Sequence, residues 1–291
     1  GTVETVMNCS PSVANVDEHI DLARIRMHTL VHRYMPRIDD FGRVVDIISL
    51  DAVIKTQPQN SSVVLMAGGR GSRLMPLTAE TPKPLLKVGN KPVIARQIEQ
   101  LVSHGFYNFY ISINYLGHMI EEYFGDGSEF GVEIEYLREE KALGTAGALS
   151  LLPKQAHPII VMNGDIITKL DFGHMLDYFH EGGVEATMGV REYHYTVPYG
   201  CVKLDGQMIQ KLEEKPTFHH MINTGIYVLS PHAVNLVPRD TFYDMPELVQ
   251  NLLEQGDKTN TFLFNEEWID IGQKEDILWA QKVFTMEDEL D

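Results

Sequence analysis

Apolar residues along this chain come in two rhythms, and the alternation between them predicts the architecture. Short continuous apolar runs bounded by turn residues, 63–66 and 158–162, read as strands buried on both faces. Residues 106–114 read as a further strand, and 132–137 as a strand with alternating faces. Segments of helical period lie between them: 92–103, with proline in its first turn and Gly105 just past its end, then 117–124 and the short 146–152. Strand and helix in turn is the pattern of βα units around a mostly parallel sheet. From Val184 onward short strands dominate, at 184–190, 199–204, 208–212 and 222–229, with Asp205-Gly206 as a hairpin signal. Helices resume at 231–236 and 245–254, followed by a strand at 259–264. The expected fold class is therefore α/β: a Rossmann-like mixed, mostly parallel sheet flanked by helices.

The first fifty-odd residues follow another pattern. Helical periodicity runs over 17–32, and 35–50 alternates like a hairpin with Asp40-Phe-Gly42 as its turn. The polar, proline-containing stretch Thr56-Gln-Pro-Gln-Asn-Ser-Ser62 reads as a linker. It separates a small α+β segment, 1–56, from a large domain, 61–291. The small segment cannot build a large core alone, so association with a second copy or with further sequence is expected. The chain starts at Gly1 rather than Met, which suggests either a tag remnant or a fragment of a longer protein.

At 291 residues and 44% apolar composition the chain can bury a substantial core. Its formal net charge of −17 argues against a nucleic-acid polymer or a membrane surface as partner, since both select basic proteins. Locally the sign reverses. Between Met66 and Lys91 lie Arg70, Arg73, Lys83, Lys87 and Lys91 against Glu80 alone, which suggests an anionic ligand. Cys9 and Cys201 lie far apart, without the paired spacing of a zinc site or a disulfide framework, and the histidines, His219-His220 included, lack a metal-binding spacing. No apolar run approaches the roughly 20 residues of a membrane span, and no charged-then-apolar leader is seen. A cytoplasmic location is the expectation.

The candidate chemistry starts at Ala67-Gly-Gly-Arg-Gly-Ser-Arg73, directly after the strand 63–66. Glycines let backbone N–H groups approach phosphate oxygens, and arginine adds forked donors of permanent charge. A polyphosphate cradle is the reading. It is not a Walker loop, because no lysine-hydroxyl pair follows the last glycine, and the glycine spacing does not match the dinucleotide fingerprint. Asp165 follows the apolar strand 158–162, so its carboxylate falls at the carboxyl end of a sheet strand, where α/β proteins bind ligands.

Beyond residue 61 the chain resembles the sugar-1-phosphate nucleotidylyltransferases. The likeness is carried by six separated blocks: the loop with Thr81-Pro-Lys-Pro84 after it, Leu143-Gly-Thr-Ala-Gly-Ala148, Asn163-Gly-Asp165, Glu213-Glu-Lys-Pro216, Asn223-Thr-Gly225 and Trp268-Ile-Asp-Ile-Gly272. The resemblance implies a nucleotidyltransferase, GT-A-like fold. The implied reaction is attack of a sugar-1-phosphate on the α-phosphorus of a nucleoside triphosphate, with release of pyrophosphate. By resemblance, Arg73 holds the leaving end of the triphosphate, and Lys83 bridges the attacking phosphate and the α-phosphate. The segment Leu65, Ala67, Gly68, Gly69, Gly71 and Ser72, with Gly144 and Thr145, binds the nucleotide. Asp165 and Asp270 hold Mg²⁺, an ion that prefers few carboxylates plus phosphate oxygens and water. Gly200, Glu214, Lys215 and Asn223 contact the sugar and its phosphate.

Base choice turns on Glu139, five positions before Gly144, where uridine and thymidine enzymes of the family often carry glutamine. An ionised carboxylate only accepts hydrogen bonds, which suits the adjacent N1–H and N2 donors of guanine better than uracil. GTP is the expected donor, with UTP or dTTP as the alternative. A noncatalytic nucleotide-sugar sensor is a second possibility, against which the retained Arg73, Lys83, Asp165 and Asp270 argue. The N-terminal segment resembles one cystathionine-β-synthase-type (CBS) motif, through Thr2-Val-Glu-Thr-Val-Met7, Leu30-Val-His-Arg-Tyr-Met-Pro-Arg-Ile-Asp-Asp-Phe-Gly42 and Val44-Val-Asp-Ile-Ile-Ser-Leu-Asp51. The resemblance implies half of a paired module, a homo-oligomer and an adenine nucleotide as ligand. Ala52 departs from the pattern where the motif carries an aspartate.

Overall fold

A computed structural model of the protein describes residues 11–18, 23, 26, 27, 34–49 and 58–288. The large domain is built on a seven-stranded sheet. In chain order its elements are β4 (Val63–Met66), α1 (Val93–Ser103), β5 (Asn108–Ile113), α2 (Gly117–Phe124), β6 (Glu133–Arg138), β7 (Ile159–Asn163), β8 (Ile166–Thr168), α3 (Phe172–Gly182), β9 (Ala186–Thr196), β10 (Gly200–Asp205), β11 (Met208–Glu214), β12 (Thr217–Leu229), α4 (Met245–Gln255), β13 (Thr259–Leu263), β14 (Trp268–Asp270) and α5 (Lys274–Asp288). The strands lie side by side as β13-β9-β12-β7-β4-β5-β6. All run parallel except β12, which is antiparallel to both β9 and β7. A mostly parallel mixed sheet was the expectation.

β4 shows why a continuous apolar run marks the sheet centre. Val63 and Leu65 enter the core under α1, where Ile94, Ile98 and Phe109 also pack, while Val64 enters the opposite core with Val161, Tyr227 and Leu248. A strand covered on both faces has no polar side to show. The chain steps from β4 to β5 on one side, and β7 takes the place on the other. The carboxyl end of β4 is therefore the switch point of the sheet, where a crevice opens between loops that leave in opposite directions.

Two expectations need correction. Two of the strands after Val184 are not short: β9 has 11 residues and β12 has 13. Their inner halves are buried in the sheet, and their outer halves, 192–196 and 217–221, continue beyond it as an exposed two-stranded ribbon. Core burial gave the inner halves an apolar pattern, and solvent left the outer halves without one. The second correction is α3, an unforeseen helix. Phe172, Met175, Leu176 and Phe179 form its buried stripe, the Asp171 side chain accepts from the His174 N–H at its start, and Gly183 ends it at φ 53°. Gly173 and Gly182 dilute its propensity, and packing overrides them. The short pair β8–β14 and the helix α5 were also not anticipated.

The N-terminal elements are β1 (Ala14–Asn15), β2 (Tyr34–Ile38) and β3 (Val44–Ser49). β2 and β3 form the expected antiparallel hairpin, and β1 lies parallel to β2. Met35 and Ile48 are buried with Ala14, Ala23 and Met27 on one face, and Tyr34, Val45 and Ile47 are exposed. Of the helix expected over 17–32, residues 23, 26 and 27 are helical. Asp17 and Glu18 form a turn and a bend rather than helix, and the remainder of it, the 2–7 and 30–33 parts of the CBS-like motif, Cys9, Asp51, Ala52 and the linker up to residue 57 lie outside the described residues. Among the described residues no helix is long and apolar enough to cross a membrane.

Candidate active site

The glycine loop leaves β4 at the switch point and is fastened from below. The Ala67 N–H donates to the Ser112 carbonyl at 2.9 Å, and the buried Thr78 hydroxyl donates to the Gly71 carbonyl at 2.8 Å. Gly71 has φ 59°, and a Cβ there would lie 2.9 Å from Thr78 Cγ2 and 3.1 Å from Lys83 Cβ. Conformation and space both demand glycine. Leu74 is buried and anchors the single helical turn Ser72–Leu74, which leaves Ser72 and Arg73 at the surface. Lys83 sits in a second such turn between Pro82 and Pro84, and its Nζ pairs with Asp165 Oδ2. Gly69, Gly71, Ser72, Arg73, Lys83 and Asp165 line a pocket of about 250 Å³.

Asp165 belongs to the turn Asn163-Gly-Asp165 between β7 and β8. The Gly164 N–H donates to the Met66 carbonyl at 2.9 Å, and a Cβ at Gly164 would lie 2.7 Å from that oxygen, so glycine lets the turn press against β4. β8 pairs with β14 in a register that sets Ile166 opposite Asp270, and the Ile271 N–H donates to the Asp165 carbonyl at 2.9 Å. Two aspartates remote in sequence thus stand side by side. Desolvation pushes the Asp270 carboxyl above the ordinary aspartate value, the Asp165 charge adds to this, and Lys83 and Arg73 partly oppose it. Asp165 Oδ1 is buried with no hydrogen-bond partner. A buried orphan carboxylate oxygen beside a second, electrostatically crowded carboxylate fits a hard divalent cation that takes few protein oxygens.

A second pocket of about 300 Å³ opens on the far side of Asp270, lined among others by Thr145, Asn163, Asn223, Tyr227, Asp244 and Trp268. The block 143–148 is stitched to the start of α4. The Thr145 N–H and hydroxyl lie 2.9 and 3.1 Å from Asp244 Oδ1, and the Met245 N–H donates to the Thr145 hydroxyl at 2.9 Å. Gly144 has φ 81°, and a Cβ there would lie 2.6 Å from the Tyr243 carbonyl. Asn223 donates to the Tyr227 hydroxyl and accepts from the Gly225 N–H at 3.0 Å, and the Trp268 indole donates to the Thr224 carbonyl at 3.0 Å.

The structure gathers Arg73, Lys83, Asp165 and Asp270 around one point of the crevice, with Gly69, Gly71 and Ser72 on one side and Asn223 on the other. Thr145, expected beside the nucleotide, lines the Asn223 pocket instead. Leu65 lies wholly in the core, because alternation along β4 turns its side chain away from the crevice, and only its main chain can face a ligand. Glu139 stands against the loop: a Cβ on Gly68 would lie 2.7 Å from its Oε1. Its carboxylate accepts from the Ser112 hydroxyl and, at 2.8 Å, from the Leu143 N–H. Gly200, Glu214 and Lys215 line neither pocket. They sit at the base of the exposed β10–β11 hairpin, where Gly200 pairs with Glu214 and Lys215 has φ 46°. Asn163, Tyr227, Asp244 and Trp268 were missed as pocket residues, although Asn163 and Trp268 stand inside quoted blocks.

Residues 62–287 match the nucleotidyl transferase family. The chain is similar to the mannose-1-phosphate guanyltransferase of Pichia angusta, at 34% identity over 228 residues that cover 74% of this chain and 62% of that protein. It is also similar to the mannose-1-phosphate guanylyltransferase catalytic subunit beta of Xenopus tropicalis, at 31% identity with the same coverage. The chain thus spans about three fifths of the length of these curated relatives. Among solved structures it resembles HddC from Yersinia pseudotuberculosis complexed with GMP-PN, with TM-score 0.62 and 25% identity over 77% of this chain and 99% of that one. A putative glucose-1-phosphate thymidylyltransferase from Bacillus anthracis gives TM-score 0.62 and 25% identity over 77% and 95%.

Proposed function

The chain belongs to the nucleotidyl transferase family, and we propose that it transfers GMP from GTP to a sugar-1-phosphate, forming a GDP-sugar and releasing pyrophosphate. The observation that carries this reading is the convergence of Arg73, Lys83, Asp165 and Asp270 between two pockets, one under the glycine loop and one toward Asn223. Two polyanionic substrates repel each other, and a site that brings them together must neutralise charge where they meet. Arg73 is suited to the β- and γ-phosphates and to the departing pyrophosphate. Lys83 is suited to the α-phosphate and the attacking phosphate, exchanging its bond to Asp165 for bonds to substrate. No residue need act as general base, because the sugar phosphate is already ionised. Asp165 and Asp270 are the residues that would hold Mg²⁺, and such an ion, when bound, supplies Lewis-acid stabilisation of charge on the α-phosphate.

For the base, Glu139 offers the lone pairs left over by Ser112 and Leu143 to the adjacent guanine donors. The names of the guanyltransferase relatives support the same choice. The second pocket takes the sugar ring, and Glu214 and Lys215 approach the sugar phosphate from the base of the β10–β11 hairpin. Residues 2–54 make half of a CBS-type module, a reading supported by a small sheet covered on one face and exposed on the other at Tyr34, Val45 and Ile47. A homo-oligomer would cover that face.

The test is pyrophosphate release with GTP, UTP or dTTP and a panel of sugar-1-phosphates, mannose-1-phosphate first on the strength of the relatives. Turnover with GTP and one sugar phosphate is expected. Turnover with UTP or dTTP but not GTP would overturn the guanylyl assignment, and nucleotide binding without turnover would favour a sensor.

A further inference from the structure

Gln97 breaks the pattern of its own helix. It lies on the buried stripe of α1 with Ile94, Ile98 and Leu101, at 3% exposure, where an apolar side chain would pack. Its amide nitrogen donates to the Asn163 carbonyl at 2.8 Å and to the Ile166 carbonyl at 2.7 Å. Those two carbonyls bracket Gly164 and Asp165. The opposite amide orientation would set an acceptor against both, so the contacts determine which way the group points. Gln97 Oε1 is buried without a partner. An aliphatic residue here would avoid that orphan acceptor but would take this donor from both carbonyls, so the glutamine is explained by what it holds at the turn and not by packing in the helix stripe.

We infer that Gln97 is a positioning residue that sets the aim of the Asp165 carboxylate toward a bound divalent cation. The inference rests on the proposed metal role of Asp165. Two main-chain bonds already tie the turn to its neighbours, Gly164 to Met66 on β4 and Ile271 after β14 to Asp165. Gln97 adds a third anchor, from the helix layer, on the carbonyls either side of the aspartate. With three anchors the Asp165 main chain is held on both sides, and with it the carboxylate whose Oδ1 has no protein partner. Remove the amide, and the other two bonds keep the turn in place while the carboxylate gains freedom. Loss of Gln97 should therefore act on cation affinity before it acts on folding or on the sugar.

The test uses Mn²⁺ as a probe. Its binding to the protein–GTP complex is followed by electron paramagnetic resonance, beside the Mg²⁺ dependence of pyrophosphate release and thermal melting. Gln97→Met keeps the volume and removes both donors. It should weaken Mn²⁺ binding about tenfold, as loss of an outer-shell partner does, and raise the Mg²⁺ concentration for half-maximal rate to match. At saturating metal the KM for sugar phosphate should stay within about twofold of wild type. If Gln97→Met shows no cooperative melt, Gln97→Asn, whose shorter amide cannot span both carbonyls, carries the same expectations. Wild-type Mn²⁺ binding in the folded variant, with or without a fall in kcat, would overturn the inference while leaving the metal reading intact. A wild-type complex that binds no Mn²⁺ removes both.

Discussion

Gly71 and Gly206 share a backbone conformation, φ 59° in each, yet they stand in opposite surroundings. At Gly71, in the loop, an added Cβ meets Thr78 at 2.9 Å and Lys83 at 3.1 Å; at Gly206, the tip of the β10–β11 hairpin, it meets nothing within 4 Å. The contrast extends to the regions around them. The loop end of the site is clamped by Thr78, by Gly164 against Met66 and by the β8–β14 pair, so its charged groups are aimed by the core. The β10–β11 hairpin carries Glu214 at the end of an exposed strand, and Lys215 in the bend that follows it. On the proposed roles, phosphate chemistry rests on preorganised geometry, and the Glu214 and Lys215 contacts rest on a hairpin that stands outside the core.

The largest effect should come from breaking the clamped end. Lys83→Ala or Asp165→Asn should lower pyrophosphate release by about 10³-fold, the scale for removing one preorganised electrostatic contact, with the fold retained by circular dichroism. Gly206→Ala in the same assay should leave the rate unchanged. Comparable losses at both ends would dissolve the contrast.

Stability gives the next largest difference. Both Gly71→Ala and Gly206→Ala force a non-glycine residue into left-handed backbone, at about 1–2 kcal/mol each. Gly71→Ala adds overpacking of about 1–3 kcal/mol. Its melting temperature should therefore fall further, by several degrees, and equal shifts would show that the loop yields as readily as the hairpin tip.

The hairpin end has its own signature. Glu214→Gln together with Lys215→Ala should raise the KM for sugar-1-phosphate about tenfold and leave the KM for GTP within about twofold. Arg73→Ala should do the reverse. A matched rise in both constants from the hairpin variant would mean that the two ends of the site are not separable.

The same contrast decides how far the sequence could be read. β4 and β7 were legible because burial on both faces writes an unbroken apolar run, and the hairpin at Asp205-Gly206 because a tight turn has its own residues. The outer halves of β9 and β12 were not, because Tyr193, Tyr195, His219 and His220 face solvent and owe the core no pattern. Arg73, Lys83, Asp165 and Asp270 could be collected from ordered blocks, yet the pairing of the two aspartates runs through strands of three residues, too short for any periodicity. Gln97 did leave a trace, as a polar residue on an apolar helix stripe. What it holds, main-chain carbonyls far along the chain, is visible only in three dimensions.

The smallest expected effect on stability lies at Asp270, where function and stability pull apart. Its folded carboxyl titrates above its unfolded value, for burial first and the Asp165 charge second. An acid shifted upward is a stability cost whenever it is ionised. The cost is complete above the folded pKa, shrinks as pH falls through it, and is gone below the unfolded value of 3.8. Without metal, Asp270→Asn should therefore stabilise the protein at neutral pH, and the gain should vanish near pH 3. Because Asp270 is exposed to solvent, screening keeps the gain below about 1 kcal/mol. The same substitution should abolish most activity, since it removes one of the two carboxylates proposed for Mg²⁺. Chemical denaturation in EDTA at neutral and acid pH measures the gain. A variant less stable than wild type at neutral pH would show that Asp270 is held by contacts stronger than the repulsion of its neighbour, and that its end of the site is clamped by charge as well as by packing.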